Sequence, residues 1–125
     1  MSNEIPNIYT DGQWHNPQAL LDTSYGQIQL ELFQKEAPTT VANWLLYVND
    51  DFYTDLLFHR VIANFVIQGG AFSSIDYSYQ NPTYPPIALD SNTGLSNLRG
   101  TLAMARTSQP DSATSQFYIN HVDNT

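Results

Sequence analysis

The stretch FHRVIANFVIQGGAF, residues 58–72, decides how this chain folds. It predicts two short apolar strands joined at Ala63–Asn64, because β-branched and aromatic residues fill both halves of the stretch. Arg60 lies inside the first strand, although the whole chain has only four Lys and Arg residues. This position indicates a specific role for Arg60. The alternative is an ion pair with one of the many carboxylates, such as Asp55, since charged residues are seldom buried unpaired.

The composition indicates one globular domain with an acidic surface. A chain of 125 residues can bury a core without disulfides, and 42% of these residues are apolar. The formal net charge is −8. This charge argues against partners such as nucleic acid or an anionic membrane, because both need a basic protein face.

The residue types give no support for a metal or a cofactor. The chain has no Cys, which excludes disulfides and thiolate zinc sites. His15, His59 and His121 lie far apart in sequence, without a second ligand at a recognisable spacing. We see no signal-peptide pattern and no segment with the length of a membrane span, so a cytoplasmic protein is the default expectation.

The first half of the chain predicts a leader, a strand and a helix. Residues 1–21 are expected to be a leader of uncertain structure, or to contain an irregular first strand around Ile8–Tyr9, with Trp14 as an anchor to the domain at residues 22–125. Apolar and polar residues alternate over Ser24–Phe33, which predicts a half-buried strand. A helix is expected over Lys35–Asp50, where Val41, Trp44, Leu45 and Val48 make one apolar stripe.

The second half predicts further short strands around a long connection. Residues 73–97 are rich in Ser, Asn, Tyr and Pro, and contain at most a short strand at Ile87–Leu89. Strands are expected at Gly100–Arg106 and Ser115–Asn120. Several short strands and one helix indicate an antiparallel barrel or a sandwich, with the helix covering an open end.

Three segments together resemble one protein family. These are the 58–72 stretch, GTLAMART at residues 100–107 and SATSQFYIN at residues 112–120, in this order. They are similar to the cyclophilins, the cyclophilin-type peptidyl-prolyl cis-trans isomerases, and Arg106–Thr107 resembles the bacterial branch. The resemblance implies a mainly β fold with one retained helix, a cyclophilin-like antiparallel β-barrel that is incomplete at the C terminus.

The resemblance also implies roles for individual residues. Arg60, Gln68 and Phe65 match the family's catalytic positions. The matching substrate-binding positions are Val66, Ala105, Arg106, Gln116 and Tyr118. From the residues alone, Phe65 reads as a core aromatic and both glutamines as solvent-facing side chains. His59 invites a general-base role, but strand alternation points it away from Arg60 and favours a structural one. Gly69–Gly70 predicts a tight turn better than a phosphate loop, because no helix follows.

The implied function is acceleration of rotation about X–Pro bonds, which assists protein folding. The expected partners are proline-containing peptides, unfolded chains and cyclosporin-type inhibitors. The alternative is a non-catalytic module or chaperone that binds proline-containing segments. The resemblance runs from about Tyr25 to Asn124, whereas the family continues with an apolar pocket wall, further strands and a second helix. We therefore expect a fragment rather than a natural truncation, with weak or no activity in isolation.

Overall fold

The structure is a computed structural model that describes residues 2–5, 15–91 and 93–125. The strand expected around Ile8–Tyr9 and the anchoring role expected for Trp14 lie outside these residues. Within the described part, no helix is long and apolar enough to cross a membrane.

The first sheet has three antiparallel strands in the order β1-β2-β3. They are β1 (Ser2–Ile5), β2 (Gln18–Thr23) and β3 (Gly26–Glu31). β3 is the strand expected at Ser24–Phe33, with Ile28 and Leu30 less exposed than their polar neighbours. β2 was not expected, and it runs across the predicted boundary between residues 21 and 22. Its alternating pattern of apolar residues is short, but the side chains of Ala19 and Leu21 both point into the core.

Helix α1 spans Pro38–Asn49 and covers the core. It begins three residues later than the Lys35 start that the sequence suggested, because residues 34–36 form a turn and Pro38 occupies the first helical turn. Proline is favoured there, since its missing N–H has no helical partner at that position. The buried face contains Val41, Trp44 and Val48, as expected, and also Tyr47, whereas Leu45 is only partly buried.

The second sheet carries the 58–72 stretch. Its strands are β4 (Arg60–Ile62), β5 (Val66–Gly69), β6 (Leu102–Met104) and β7 (Phe117–Asn120), in the antiparallel order β4-β5-β7-β6. The predicted hairpin is confirmed as β4 and β5, with residues 63–65 as the turn. Asn64 adopts a φ of 60° in this turn, a conformation that Asn tolerates better than most residues.

The second half differs from the sequence expectation mainly in the lengths of its strands. β6 and β7 are shorter than the predicted Gly100–Arg106 and Ser115–Asn120. The strand predicted at Ile87–Leu89 is wrong, since only Ile87 pairs, with Ala113, in an isolated bridge. Two prolines precede Ile87 and have no N–H to extend the pairing.

The core lies between the two sheets and α1. Trp44 and Tyr53 each pack against the ring of Phe117, at centroid separations of 5.9 Å and 5.2 Å. Phe117 is fully buried, so one face of the second sheet belongs to the core and the other is available for a site. The sheets of the described part do not join into a closed barrel, so the fold is mainly β with one helix, consistent with the incomplete barrel that was expected.

Candidate active site

The register of the second sheet assembles one polar row on the face away from the core. Arg60 pairs with Gln68, and Gln68 pairs in turn with Tyr118. Residues paired across antiparallel strands project from the same face, so these three side chains share it, while Phe117 and Ile119 point to the core. A cleft of about 430 Å³ lies over this face. Of the predicted residues, it is lined by Arg60, Phe65, Val66, Gln68, Ala105, Arg106 and Tyr118.

The Arg60 side chain contacts neutral side chains of the cleft and not a carboxylate. One terminal nitrogen donates a hydrogen bond to Gln68 Oε1 at 3.3 Å, and the guanidinium carbon lies 5.6 Å from the centroid of the Phe65 ring. The latter separation is within the range of a cation–π contact. Among the described residues no carboxylate pairs with Arg60, so the structure does not support the ion pair with Asp55.

Gln68 connects Arg60 to the neighbouring strand segment. Its Nε2 donates to Gln116 Oε1 at 2.9 Å, while its Oε1 accepts from Arg60. Gln116 is therefore next to the cleft through Gln68, although its own side chain is not among the lining residues. The Gln68 amide has a defined orientation, because one end must accept and the other must donate.

The turn between β4 and β5 presents an aromatic ring beside an apolar floor. Phe65 remains 39% exposed, whereas the adjacent Val66 is 3% exposed. The sequence suggested a core position for Phe65 on residue type alone, but the turn places this ring at the surface, under Arg60. An exposed ring next to a buried aliphatic side chain suits contact with a small apolar ring of a ligand.

His121 and Asn124, which follow β7, form hydrogen bonds to the turn between β4 and β5. The Asn64 backbone N–H donates to His121 Nδ1 at 2.9 Å, and the His121 backbone N–H donates to the Phe65 carbonyl at 2.8 Å. Asn124 Nδ2 donates to the same carbonyl at 3.0 Å. These bonds fix the backbone that carries the Phe65 ring. Neither residue stands out in the sequence, because the groups that they bind lie 57 or more positions away.

The β6 side of the cleft carries the second cation. The Ala105 backbone N–H donates to the Gln116 carbonyl at 2.9 Å, which extends the pairing past the end of β6. Arg106 follows and is exposed, and one of its nitrogens donates to the Thr107 carbonyl at 3.0 Å. Met104 and Thr107 complete this edge of the cleft.

Buried groups behind the sheet fix the end of β5. Gly70 has a φ of +96°, and a Cβ there would lie 2.7 Å from the Ser115 carbonyl oxygen. Ser115 Oγ donates to the Gly70 carbonyl at 2.9 Å, and the Tyr53 hydroxyl donates to the Ser115 carbonyl at 2.6 Å. Burial raises the pKa of Tyr53 well above its ordinary value, so this phenol stays a donor. Gly69 ends β5 and Gly70 is a bend with positive φ, so this pair is a close backbone approach rather than the tight turn that the sequence suggested.

His59 has a structural setting. Its ring lies 4.7 Å from the ring of Phe72, centroid to centroid. Burial lowers the pKa of His59, and the neighbouring charge of Arg60 lowers it further. A neutral imidazole packed on an aromatic ring agrees with the interpretation that His59 is not the centre of the site.

Several polar residues of the cleft were missed by the sequence analysis. They are Asn97, Thr107, Asn120 and Asn124. Asn120 could have been found, because it continues the alternation of Gln116 and Tyr118 along the same strand. It is only 2% exposed, and its Nδ2 donates to Thr101 Oγ1 at 3.0 Å. The other three residues lie in loops, where no periodic pattern shows which side chains face the cleft.

The fold and the site define a β-sheet protein with an open cleft, lined by one apolar floor and by arginine and amide side chains. Residues 19–125 match the family described as cyclophilin type peptidyl-prolyl cis-trans isomerase/CLD. The chain belongs to this family, which confirms the resemblance inferred from its three segments.

Relatives and solved structures support the same placement. The peptidyl-prolyl cis-trans isomerase A of Dickeya dadantii is 54% identical over 105 residues, which cover 84% of this chain and 54% of the relative. The isomerase B of Escherichia coli is 51% identical, covering 82% of this chain and 61% of the relative. The chain thus spans between half and two thirds of the length of these curated relatives.

A crystal structure shares the fold. It is that of a Cryptosporidium parvum cyclophilin type isomerase in the presence of the dipeptide Ala-Pro. This structure has a TM-score of 0.69 and 27% identity to the chain, and the match covers 83% of this chain and 67% of the other.

Proposed function

We propose that this chain carries the catalytic face of a peptidyl-prolyl cis-trans isomerase, which accelerates rotation about X–Pro bonds and thereby assists protein folding. The observation that carries the proposal is the placement of Arg60. Its guanidinium lies above the Phe65 ring, bonded to Gln68, on the open face of the sheet and free of any described carboxylate. Family membership of residues 19–125 supports the same activity.

The reaction needs no bond cleavage. Amide resonance makes the peptide bond resist rotation with a barrier of roughly 18–20 kcal/mol, and uncatalysed X–Pro exchange takes tens to hundreds of seconds. Resonance is lost in the twisted transition state, and electron density returns to the proline nitrogen. A catalyst must bind that twisted amide more tightly than the planar one.

Arg60 supplies such a differential interaction. A planar amide nitrogen accepts a hydrogen bond poorly, whereas a twisted one has a lone pair that can accept from the guanidinium. Hydrogen bonds to charged groups contribute about 1.5–3 kcal/mol net, so Arg60 supplies only part of the acceleration. The apolar surroundings of Phe65 and Val66 strengthen this bond, because fewer water dipoles screen it.

The remaining cleft residues position the substrate. Phe65 and Val66 hold the proline ring, and Tyr118, which is paired with Gln68, completes the floor. Gln68, already aligned by Gln116 at 2.9 Å, binds the carbonyl that precedes proline. Ala105 presents its backbone, and Arg106 its side chain, to the rest of the peptide. A cyclosporin-type inhibitor would occupy the same apolar floor, and unfolded chains would present the same proline segments.

The proposal is tested with two forms of the protein and one reporter peptide. The forms are the 125-residue chain and a chimera that extends it with the C-terminal part of the Dickeya dadantii relative. Exchange spectroscopy by NMR measures cis–trans exchange of an Ala-Pro peptide, and titration of the same sample gives the dissociation constant.

Catalysed exchange in either form supports the isomerase. Exchange in the chimera alone indicates that the chain carries the catalytic face but needs the additional strands. Peptide binding in both forms without any acceleration would contradict the isomerase and would favour the non-catalytic binding module.

A further inference from the structure

The charge distribution of the cleft is opposite to that of the whole chain. The chain has twelve Asp and Glu residues against four Lys and Arg, yet two of those four cations, Arg60 and Arg106, line the cleft. No described Asp or Glu lines it. A basic cleft on an acidic protein concentrates attraction for an anionic ligand at one place.

The two acids that follow β6 in the sequence bond to other groups. Asp111 accepts from the Leu89 backbone N–H at 3.0 Å, and Asp123 accepts from the Arg99 backbone N–H at 2.8 Å. In the described part of the chain, Arg106 bonds only to the Thr107 carbonyl. A guanidinium has five N–H donors, so most of its capacity is available to a ligand.

Arg106 lies at the far edge of the sheet from Arg60. The order β4-β5-β7-β6 separates β4 from β6 by three strand spacings, or about 14 Å. An extended peptide advances about 3.3 Å per residue, so about four residues cross that distance. Because an Arg side chain also reaches several ångströms toward its ligand, a peptide side chain two to four residues from the proline meets Arg106.

We propose that Arg106 makes this cleft selective for peptides that carry Asp or Glu two to four residues from the isomerised proline. The inference rests on the proposed function for the position of the proline, and it adds the class of substrate. Arg60 is committed to the proline nitrogen, so Arg106 is the cation that determines this preference. Arg is suited to the role, because its planar fork can bind a carboxylate through two parallel bonds.

The test compares matched peptides for binding and turnover. Each peptide has one proline in an Ala and Ser background, with Glu, Gln or Lys placed two, three or four residues away on either side. Dissociation constants and exchange rates are measured at low salt and at high salt, on the form of the protein that binds Ala-Pro peptides. The protein variants are Arg106→Gln and, as a matched control at an exposed cation outside the cleft, Arg99→Gln.

We expect the best-placed Glu peptide to bind about three- to fivefold more tightly than its Gln twin at low salt, the size of a partly exposed ion pair. The Lys peptide should bind most weakly. The Glu-to-Gln ratio should approach one in Arg106→Gln and at high salt, where charges are screened, and should persist in Arg99→Gln. A ratio near one at every position at low salt overturns the proposal, as does a ratio that survives Arg106→Gln.

The design separates the two proposals. If no peptide is turned over but the Glu preference appears in the dissociation constants and depends on Arg106, the proposed catalysis fails and the substrate class stands. If peptides are turned over without that preference, the isomerase stands and the role of Arg106 is refuted.

Discussion

Replacing Gln68 with Ala tests whether the alignment of Arg60 contributes to catalysis. The Gln68 side chain accepts from Arg60 at 3.3 Å and donates to Gln116 at 2.9 Å. In Gln68→Ala, Arg60 keeps only the contact with the Phe65 ring, at 5.6 Å to the ring centroid. The guanidinium then samples more orientations, and fewer of them point at the proline nitrogen.

The size of the effect follows from the geometry. A hydrogen bond to a charged group contributes about 1.5–3 kcal/mol, and the long Arg60–Gln68 bond at an exposed site belongs at the low end. About 1.4 kcal/mol corresponds to a tenfold change in rate, so kcat/KM should fall about tenfold. The free energy of unfolding should change by about 1 kcal/mol or less, because the Gln68 side chain is only half-buried and its partners can bond to water.

The assay is cis–trans exchange of a proline peptide with the active form of the protein, alongside thermal unfolding. Gln29→Ala is the matched control, since Gln29 donates to Gln18 Oε1 at 2.7 Å in the other sheet and does not line the cleft. Gln68→Ala should also add little to the loss in kcat that Arg60→Ala causes, because Gln68 acts on kcat through Arg60, whereas its bond to the carbonyl that precedes proline acts on KM. A kcat/KM within twofold of wild type, or equal losses in Gln68→Ala and the control, would refute the reasoning.

Three further predictions concern residues that stabilise helix α1, the end of β5 and the turn between β4 and β5. Asp90 accepts from backbone N–H groups of the first turn of α1, one at 2.7 Å, so Asp90→Ala should cost about 1 kcal/mol in the free energy of unfolding by urea. Burial alone would raise the pKa of Asp90, but these hydrogen bonds prevail and lower it; the stabilisation is therefore complete above the ordinary carboxyl pKa and is lost as the pH falls through the lowered value. An Asp90→Ala variant whose loss in stability is the same at every pH would contradict this. Gly70→Ala should lower the free energy of unfolding by about 3 kcal/mol or more, because the added Cβ would lie 2.7 Å from the Ser115 carbonyl oxygen. Gly100→Ala is the control and should cost clearly less, since Gly100 has a positive φ but open space around it. Equal melting temperatures of the two variants would refute the prediction. His121→Ala removes the acceptor of a 2.9 Å bond that holds the turn between β4 and β5. We expect kcat/KM to fall about fivefold, with little change in melting temperature. Unchanged kinetics would show that this hydrogen bond is not needed for activity.

The local patterns predicted most of the second sheet. Two apolar runs around Ala63–Asn64 require a hairpin, and alternation along residues 115–120 separates Phe117 from Gln116 and Tyr118. These relations depend only on the period of a strand, so they are readable without coordinates. The strand at Ile87–Leu89 failed because apolar residues alone do not supply a partner, and two preceding prolines limit the pairing.

Only part of the candidate site was predictable from the sequence, because the site depends on contacts between segments that are far apart in the chain. The residues alone predicted solvent-facing side chains for Gln68 and Gln116, but they could not show that the two side chains share one face, since that depends on pairing between strands distant in sequence. Phe65 illustrates the limit, because its residue type suggests a core position and only the turn geometry exposes it. His121 and Asn124 act through long-range bonds to the Phe65 turn, and such bonds leave no local pattern.

The central claim is that Arg60 binds the twisted amide rather than the resting peptide. The most direct measurement compares Arg60→Ala with Arg99→Ala in the active form, recording kcat by exchange spectroscopy and the dissociation constant by titration of the same peptide. We predict that Arg60→Ala lowers kcat about 10- to 100-fold, the equivalent of about 1.5–3 kcal/mol, while the dissociation constant changes less than about threefold and Arg99→Ala changes neither. A weakened dissociation constant with an intact kcat would contradict the claim, because it would mean that Arg60 holds the planar peptide and does not favour its rotation.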